Sequence, residues 1–402
     1  MAENSRSELE ACLEAGKVSS GSEVITIAAE TAGDVCQLFH WAAKQNCPVY
    51  VYEEPKPGGV KLELQKMNKI VEIDAANLVA TVEAGINVGE LAAALAAQNL
   101  RFIPAVAPFY HHLSIGEMLY QGYFNPMSLK YGPTKHMVMG TQMVLPSGER
   151  LKTGGKTVKN VTGYDMTRFL NGPYSHFGVT TTYLLKLLPV PEQRRTLTLD
   201  FAEYNAVLAL VETLKQTGIV PACLLWADPV TGKMLTGGST ASHQVIMELD
   251  GVEEEVAAQH DKLLKILQAM TAVLREDTLG AGEQPGRWSQ LFREQEQPVL
   301  LEELRIPYQA SGDFWQRFQT WKAKQGHNAG LFGQIREGRI HVYFADGTNN
   351  ADSIQELISL AQEATGCSTG RYARQQGGGG GVLGEIERRM KQAFDPQLLL
   401  NR

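Results

Sequence analysis

The chain has 402 residues and a formal net charge of −7, from 37 Lys and Arg against 44 Asp and Glu. This length predicts two or three packed units, and a composition of 44% hydrophobic and 20% charged residues excludes a wholly disordered chain. The acidic balance also excludes a nucleic-acid partner that is held by bulk charge.

The first half of the chain alternates short apolar strands with amphipathic helices. Thr31, followed by Asp34 three residues later, is typical of a helix N-cap. The helix that begins there is predicted to bury one face, formed by Val35, Leu38, Phe39 and Ala42. A second helix is predicted to begin at Asn87, and strands are predicted at residues 23–28, 48–52, 69–74, 79–84, 138–145 and 180–188.

The second half begins with a new pattern. Pro189 and Pro191 interrupt the chain, and we place the main boundary near residue 193. Beyond it, the order strand–helix–strand occurs twice, which predicts a ferredoxin-like α+β unit. The predicted helices are residues 204–218, 252–275, 313–324 and 384–394, and the predicted strands are residues 219–226, 243–249, 301–306 and 339–345. Five glycines at 377–381 predict a flexible linker.

Cysteine spacing and hydropathy bear on the compartment. The five cysteines are scattered and never form C-x-x-C, which predicts neither a disulfide framework nor a four-cysteine iron–sulfur cluster. The N-terminus has no apolar core typical of a signal peptide, and no run of about 18 apolar residues predicts a membrane span. We therefore expect a cytoplasmic protein, attached to a membrane only through partners.

Glycine is abundant, at 39 residues, which raises the question of a nucleotide site. No G-x-G-x-x-G follows a predicted strand. Residues 154–157 (GGKT) resemble the end of a phosphate-binding loop, but Arg150 stands where its first glycine belongs. The sequence therefore favours neither a Rossmann fold nor a P-loop.

Six stretches in the same order resemble the FAD-linked oxidase family, also called the vanillyl-alcohol-oxidase-like or p-cresol methylhydroxylase (PCMH) type. These are residues 71–108, 114–118 (SIGEM), 131–155, 159–172 (KNVTGYDMTRFLNG), 177–192 and 391–401 (KQAFDPQLLLN). A single such match is weak, whereas six ordered matches across the chain are specific. Within the family, the K-N-V-x-G-Y-D motif resembles that of the E-subunit type of bacterial glycolate oxidase.

The resemblance implies an α+β fold with two domains. Residues 1–192 would form a two-lobed PCMH-type FAD-binding domain, and residues 193–402 a ferredoxin-like α+β FAD-linked oxidase C-terminal domain that covers the flavin and contacts other subunits. FAD is the implied cofactor. The implied partners are a larger FAD-dependent 2-hydroxyacid dehydrogenase subunit and an iron–sulfur subunit. We expect a subunit that relays electrons from oxidation of glycolate, lactate or a similar acid toward the iron–sulfur partner, rather than an independent enzyme.

The resemblance also assigns the residues that would bind FAD. They are Gly58, Gly59, Pro108, Ser114, Ile115, Gly116, Asn160, Gly163, Tyr164, Asp165, Gly178 and Val179. A diphosphate needs converging backbone N–H groups, and glycine allows that backbone to approach closely. No catalytic residue follows from the sequence.

The loop at residues 53–59 (EEPKPGG) departs from the glycine-rich loop of the family. Glu53 and Glu54 would repel a diphosphate, and Pro55 and Pro57 lack the N–H donor. Glu117 likewise replaces the second glycine of the family's T-I-G-G turn. A second hypothesis therefore stays open, a non-catalytic assembly subunit whose flavin fold is empty.

The family's metal motif, G-H-x-G-D-G-N-x-H, corresponds here to residues 333–341 (GQIREGRIH). Gln334 replaces the first histidine, and two arginines make a divalent-metal site unfavourable. We therefore predict no metal, and a stand-alone oxidase is disfavoured. Strand alternation predicts Ile340, Val342 and Phe344 in the core, with Arg339, His341 and Tyr343 on a polar face. That face could bind a carboxylate through arginine, although we favour a solvated or subunit-facing surface.

Overall fold

The structure is a computed structural model with two compact units. It describes residues 3–13, 17–20, 24–106, 108–122, 125–156, 164–171, 176–236, 242–270, 272–280, 303–344, 351–364, 367–368 and 382–401. The first unit comprises Met1–Asn125, Pro133–Val190 and Gly381–Arg402, and the second comprises Pro126–Gly132 and Pro191–Gly380. No helix in these ranges is long and apolar enough to cross a membrane.

The helices of both units are numbered α1–α12 in chain order. They are α1 Glu3–Cys12, α2 Ala32–Gln45, α3 Val88–Ala96, α4 Ile115–Gln121, α5 Ser128–Tyr131, α6 Met166–Leu170, α7 Tyr204–Thr217, α8 Pro229–Thr236, α9 Glu253–Gln268, α10 Ser311–Gln325, α11 Ala351–Glu363 and α12 Val382–Phe394. Helix α12 lies in the first unit, although it follows the second unit along the chain.

The strands are numbered β1–β19. They are β1 Val18–Ser20, β2 Ile25–Ala28, β3 Val49–Tyr50, β4 Val60–Glu63, β5 Ile70–Asp74, β6 Val79–Glu83, β7 Leu100–Arg101, β8 Val138–Val144, β9 Arg150–Gly154, β10 Val179–Lys186, β11 Leu188–Pro189, β12 Gln193–Phe201, β13 Cys223–Ala227, β14 His243–Gly251, β15 Ala272–Gly280, β16 Glu303–Arg305, β17 Ala329–Gln334, β18 Arg339–Phe344 and β19 Cys367–Ser368. Helices and strands occur together in both units, so the α+β prediction is confirmed.

The first unit contains two main sheets. One has the order β1-β2-β4-β3, in which β4 is parallel to both β2 and β3. The other has the order β5-β6-β10-β8-β9 and is antiparallel. The predicted cap of α2 is confirmed, because the Thr31 hydroxyl accepts from the Asp34 N–H at 3.2 Å and the Asp34 carboxylate accepts from the Thr31 N–H at 2.9 Å. The predicted buried face, Val35, Leu38, Phe39 and Ala42, is fully buried.

The second unit is built on one antiparallel sheet of eight strands. Its order is β15-β12-β14-β13-β17-β18-β16-β19. One face of the sheet packs against α7, α9 and α10, whose apolar residues form a single core with alternate strand residues. The predicted core residues of β18, Ile340, Val342 and Phe344, belong to that core. Strand alternation therefore separated the two faces of β18 correctly.

The opposite face of this sheet carries buried polar residues. Of the predicted solvated or subunit-facing surface, the solvated alternative is wrong for Arg339 and His341, which are buried, and the His341 ring stacks on Phe332 with centroids 5.1 Å apart. Asp250 of β14 is also buried, and its carboxylate accepts from Tyr131 at 2.7 Å and from Lys130 at 2.9 Å. Both of these donors come from α5, so the segment Pro126–Gly132 is anchored on the sheet of the second unit.

The predicted helix at residues 252–275 is wrong at its C-terminal end. Helix α9 ends at Gln268, and β15 then pairs with β12 from Ala272 opposite Phe201 to Gly280 opposite Arg194. Val273 and Leu274 are exposed, so a longer helix would gain little from burying them. Pairing instead satisfies the backbone of β12, which would otherwise be an open sheet edge.

The predicted strand at residues 48–52 is also too long. Strand β3 ends at Tyr50, and Tyr52 then takes a left-handed backbone conformation with φ of 59°. An extended strand cannot contain that conformation. The chain therefore turns two residues earlier than the apolar run suggests.

Asp228, at the start of α8, should make the stability of the second unit depend on pH. Burial raises the pKa of Asp228 to about 6, against partial compensation by the Thr231 N–H, which donates to its carboxylate at 2.9 Å. An unfolded aspartate titrates near pH 4. The stability that the protonated group contributes is therefore complete below about pH 4 and is lost as the pH rises toward 6.

We expect Asp228→Asn to remove this loss. The difference in unfolding free energy between variant and wild type should grow in favour of the variant by about 2 kcal/mol between pH 4 and pH 7. Urea unfolding at a series of pH values measures this difference. Asp352→Asn, which changes an exposed carboxylate on α11, is the control and should give a flat difference. A flat difference for Asp228→Asn would contradict the assignment.

Candidate functional site

The structure brings together two of the segments that the resemblance assigns to FAD. One is the loop at residues 51–59, after β3, and the other is the start of α4. Tyr52 of the loop lies against Gly116 of the helix, where an added Cβ would be 2.0 Å from the Tyr52 hydroxyl oxygen and 3.0 Å from the Ala84 carbonyl oxygen. Gly116 is therefore required here by Tyr52 and the backbone, whatever the ligand.

Tyr52 occupies the space between these segments. The residue is half-buried, its hydroxyl oxygen is buried, and its ring lies 5.4 Å from that of Tyr120. Burial raises the pKa of Tyr52 well above its ordinary value, so the phenol stays neutral. A non-glycine residue with positive φ is uncommon and points to a constrained site.

The N–H groups at the start of α4 are engaged within the chain. The Ile115 N–H donates to the Ile86 carbonyl at 2.9 Å, and the Gly116 N–H donates to the Ala84 carbonyl at 2.8 Å. The Glu117 N–H donates to the hydroxyl of Ser114, the N-cap, at 3.1 Å. A helix N-terminus binds anions through such donors, and these three are already used.

The loop at residues 51–59 is held by the C-terminal residues. The Asn401 side chain accepts from the Val51 N–H at 2.9 Å and donates to the Val51 carbonyl at 3.3 Å and to the Tyr120 hydroxyl at 3.0 Å. The Tyr120 hydroxyl in turn donates to Glu53. Two backbone bonds, from Val49 to Leu399 at 2.7 Å and from Asn401 to Val49 at 2.8 Å, fasten β3 to the same segment.

The two loop glycines serve the turn. An added Cβ at Gly59 would lie 2.4 Å from the ring of Tyr50. The Gly59 N–H donates to the Lys56 carbonyl at 3.0 Å. Gly58 is exposed, with φ of 85°. Together with the carboxylates of Glu53 and Glu117, this donor set does not fit the diphosphate of FAD. The pKa of Glu117 is raised, mainly by burial.

The other predicted cofactor residues that the structure describes lie in other segments of the first unit. Pro108 begins a short 3-10 helix, Pro108–His112. Tyr164 is 95% exposed, and Asp165 caps α6 by accepting from the Arg168 N–H at 3.0 Å. Gly178 lies against the Val144 carbonyl, 2.8 Å from its added Cβ, and Val179 begins β10. Asn160 and Gly163 lie outside the described residues.

The stretch that corresponds to the family's metal motif is held by chain-internal hydrogen bonds. Gln334 is only 2% exposed, and its Nε2 donates to the Pro126 carbonyl at 2.9 Å and to the Ser128 hydroxyl at 3.1 Å. Ser128 donates to Glu337 at 2.6 Å. Within the described ranges, no three His, Cys, Asp or Glu side chains cluster as metal ligands would. The side chain at the first histidine position thus serves as a structural link to the segment before α5.

Sequence reasoning missed the three residues that close this site, Tyr52, Tyr120 and Asn401. Tyr52 resembles one more aromatic residue of an apolar strand. Asn401 lies 350 positions from the residue whose backbone it binds, and no local pattern reports such a contact. The combination of a tyrosine before a carboxylate-rich loop with a glycine at residue 116 was the only available signal.

Two family models match consecutive parts of the chain. The "FAD binding domain" matches residues 24–154, and "FAD linked oxidases, C-terminal domain" matches residues 190–385. Among solved structures, p-cresol methylhydroxylase is similar in fold, with a TM-score of 0.71 and 15% sequence identity. The superposition includes 99% of this chain and 96% of that protein's chain. That identity establishes the fold alone, and it confirms the predicted PCMH-type architecture.

Curated relatives are similar over much of the chain. Glycolate oxidase subunit GlcD of Bacillus subtilis is 27% identical over 86% of this chain and 79% of its own. D-lactate dehydrogenase of Archaeoglobus fulgidus is 23% identical over 94% of this chain and 90% of its own length. Glycolate oxidase subunit GlcE of Escherichia coli is 30% identical over 50% of this chain and 57% of its own length. The similarity thus extends to two glycolate oxidase subunits, GlcD and GlcE, and to a lactate dehydrogenase.

Proposed function

Because the chain belongs to the family of FAD-linked oxidases, we propose that it is an accessory subunit of a multi-subunit 2-hydroxyacid oxidoreductase. A larger FAD-dependent partner subunit oxidises glycolate, lactate or a similar acid, and an iron–sulfur subunit receives the electrons. The relatives named as glycolate oxidase subunits and as D-lactate dehydrogenase support this substrate class. We retain a division into an FAD-type domain at residues 1–192 and a C-terminal domain at 193–402.

The bonding of Gln334 carries this proposal. In catalytic relatives the corresponding histidine helps to hold the metal that orients the hydroxyacid. Here the side chain is buried and binds Pro126 and Ser128. Gln334 is a poor substitute for that histidine, because its side chain is buried and its Nε2 already donates structural hydrogen bonds to Pro126 and Ser128. Oxidation of the acid is therefore assigned to the partner.

The accessory role has two forms. In the first, this chain holds FAD and relays electrons from the partner flavoprotein toward the iron–sulfur subunit, and the matched FAD-binding family model supports it. In the second, the chain assembles the complex without a flavin of its own. The position of Tyr52 and the engaged N–H groups of α4 favour the second form. In both forms the complex is cytoplasmic, and it reaches a membrane only through partners.

An assay of the isolated chain tests the accessory role. The purified protein is given glycolate and D-lactate with a dye as electron acceptor, in the presence of added FAD. We expect no turnover, whereas the complex purified through a tag on this chain should oxidise at least one of the two acids. Turnover by the isolated chain would overturn the proposal. So would a tagged chain that purifies alone from cells in which its natural partners are expressed.

A further inference from the structure

Tyr52 fills the space beside Gly116, at the start of α4. Its hydroxyl oxygen lies so close to Gly116 that a single methyl group there would overlap it at 2.0 Å. We propose that Tyr52 closes the diphosphate part of the cofactor site in this chain, so that the chain does not retain FAD. This inference rests on the accessory role proposed above and decides between its two forms.

The backbone donors support this closure. A bound diphosphate is held by several N–H groups that point at it. The N–H groups of residues 115–117 donate within the chain, that of Val51 donates to Asn401, and that of Gly59 donates to Lys56. Pro55 and Pro57 have no N–H. Five N–H groups of the two segments are therefore used within the chain, and the two proline positions offer none.

The charges of the loop at residues 51–59 also disfavour a diphosphate. Glu53 is bound by the Tyr120 hydroxyl at the edge of the closed space, and Glu54 is exposed beside it. Lys56 is the one cation in the loop at residues 51–59. The loop itself therefore carries two carboxylates against one ammonium group, and these carboxylates would repel a diphosphate placed beside them.

Tyr52 is held in place from both sides. Asn401 binds the N–H and the carbonyl of Val51, the preceding residue, and Tyr120 binds Glu53, the following residue. Asn401 also donates to Tyr120, which joins the two anchors. The backbone on both sides of Tyr52 is therefore held by hydrogen bonds, and the ring could leave the space beside Gly116 only by rotation of its own side chain.

The test is a titration of the full-length chain with FAD, ADP and FMN, followed by calorimetry. Wild type and Tyr52→Phe, which keeps the ring, should show no saturable binding of any of the three. Tyr52→Gly removes the ring and suits the left-handed φ of 59°. It should show saturable binding of FAD and of ADP, whereas FMN, which lacks the diphosphate bridge, should still show none.

Phe39→Ala is the control, because it removes a fully buried aromatic ring from α2, outside the two segments of this site. It should lose stability without gaining affinity for FAD. A folded Tyr52→Gly chain that gains no affinity would overturn the proposal. The wild-type protein decides the question even when this variant does not fold. Saturable binding of FAD by wild type, or a flavin spectrum that survives gel filtration, contradicts closure of the site. The absence of both supports closure. Neither result alters the accessory role, which the turnover assay tests separately.

Discussion

Replacing Asp395 by alanine is expected to lower the free energy of unfolding of the first unit by about 3 kcal/mol. The Asp395 side chain is fully buried, and it accepts from the Leu399 N–H at 2.8 Å, the Leu400 N–H at 2.9 Å and Lys391 at 2.7 Å. Without it, two N–H donors lose their acceptor, and the largely buried Lys391 ammonium keeps the His176 and Leu400 carbonyls but loses its opposite charge. Urea unfolding followed by circular dichroism measures the change.

The neighbouring pairs on α12 provide the control. Glu385 binds Arg388 and Arg389 at 2.9 and 2.8 Å, but all three side chains are substantially exposed. Glu385→Ala should therefore cost at most about 0.5 kcal/mol. Lys391→Met should cost less than Asp395→Ala, because the carboxylate would keep its two backbone donors. Equal costs for Asp395→Ala and Glu385→Ala would contradict the role of this buried cluster in fixing the C-terminal segment.

Gly116→Ala is expected to destabilise the first unit by about 2 kcal/mol, although alanine is the better helix former. Its Cβ would overlap the Tyr52 hydroxyl, and the Ala84 carbonyl at 3.0 Å blocks a shift to the other side. In a Tyr52→Gly background the overlap with Tyr52 disappears, so the same substitution should cost much less, and only the close approach to the Ala84 carbonyl remains. A double-mutant cycle should give a coupling free energy of at least about 1.5 kcal/mol.

Gly155→Ala is the matched control for this cycle. An added Cβ at Gly155 meets no atom within 4 Å, so the substitution should be neutral to within about 0.5 kcal/mol in both backgrounds. Additive effects of Gly116→Ala and Tyr52→Gly would show that the two side chains do not compete for one space. That outcome would contradict the packing on which the closure of the site depends.

Several elements were predictable because their signals are local. The N-cap of α2 depends on two residues three positions apart, and the alternation of β18 separates a core face from a polar face within six residues. The predicted helix at residues 252–275 failed where a local signal was insufficient. Residues 272–280 form a strand because β12 needs a partner, and that requirement comes from the sheet.

The burial of the polar face of the second unit was not predictable either. Strand alternation placed Arg339 and His341 opposite the core correctly, but it carries no information on what covers that face. The anchoring of the segment Pro126–Gly132 through Asp250 and Gln334 depends on residues more than 100 positions apart. Sequence patterning distinguishes polar from apolar faces; whether a polar face meets water is decided by packing.

For this protein, the sequence by itself determined the family, the α+β class and the absence of a Rossmann or P-loop motif, because these follow from ordered local motifs. It also identified the loop at residues 53–59 as poor in donors for a diphosphate. Only the tertiary structure showed that Tyr52 fills the space beside Gly116 and that Asn401 holds the preceding residue. Such contacts join residues 64 to 350 positions apart, and they form only when the chain has folded.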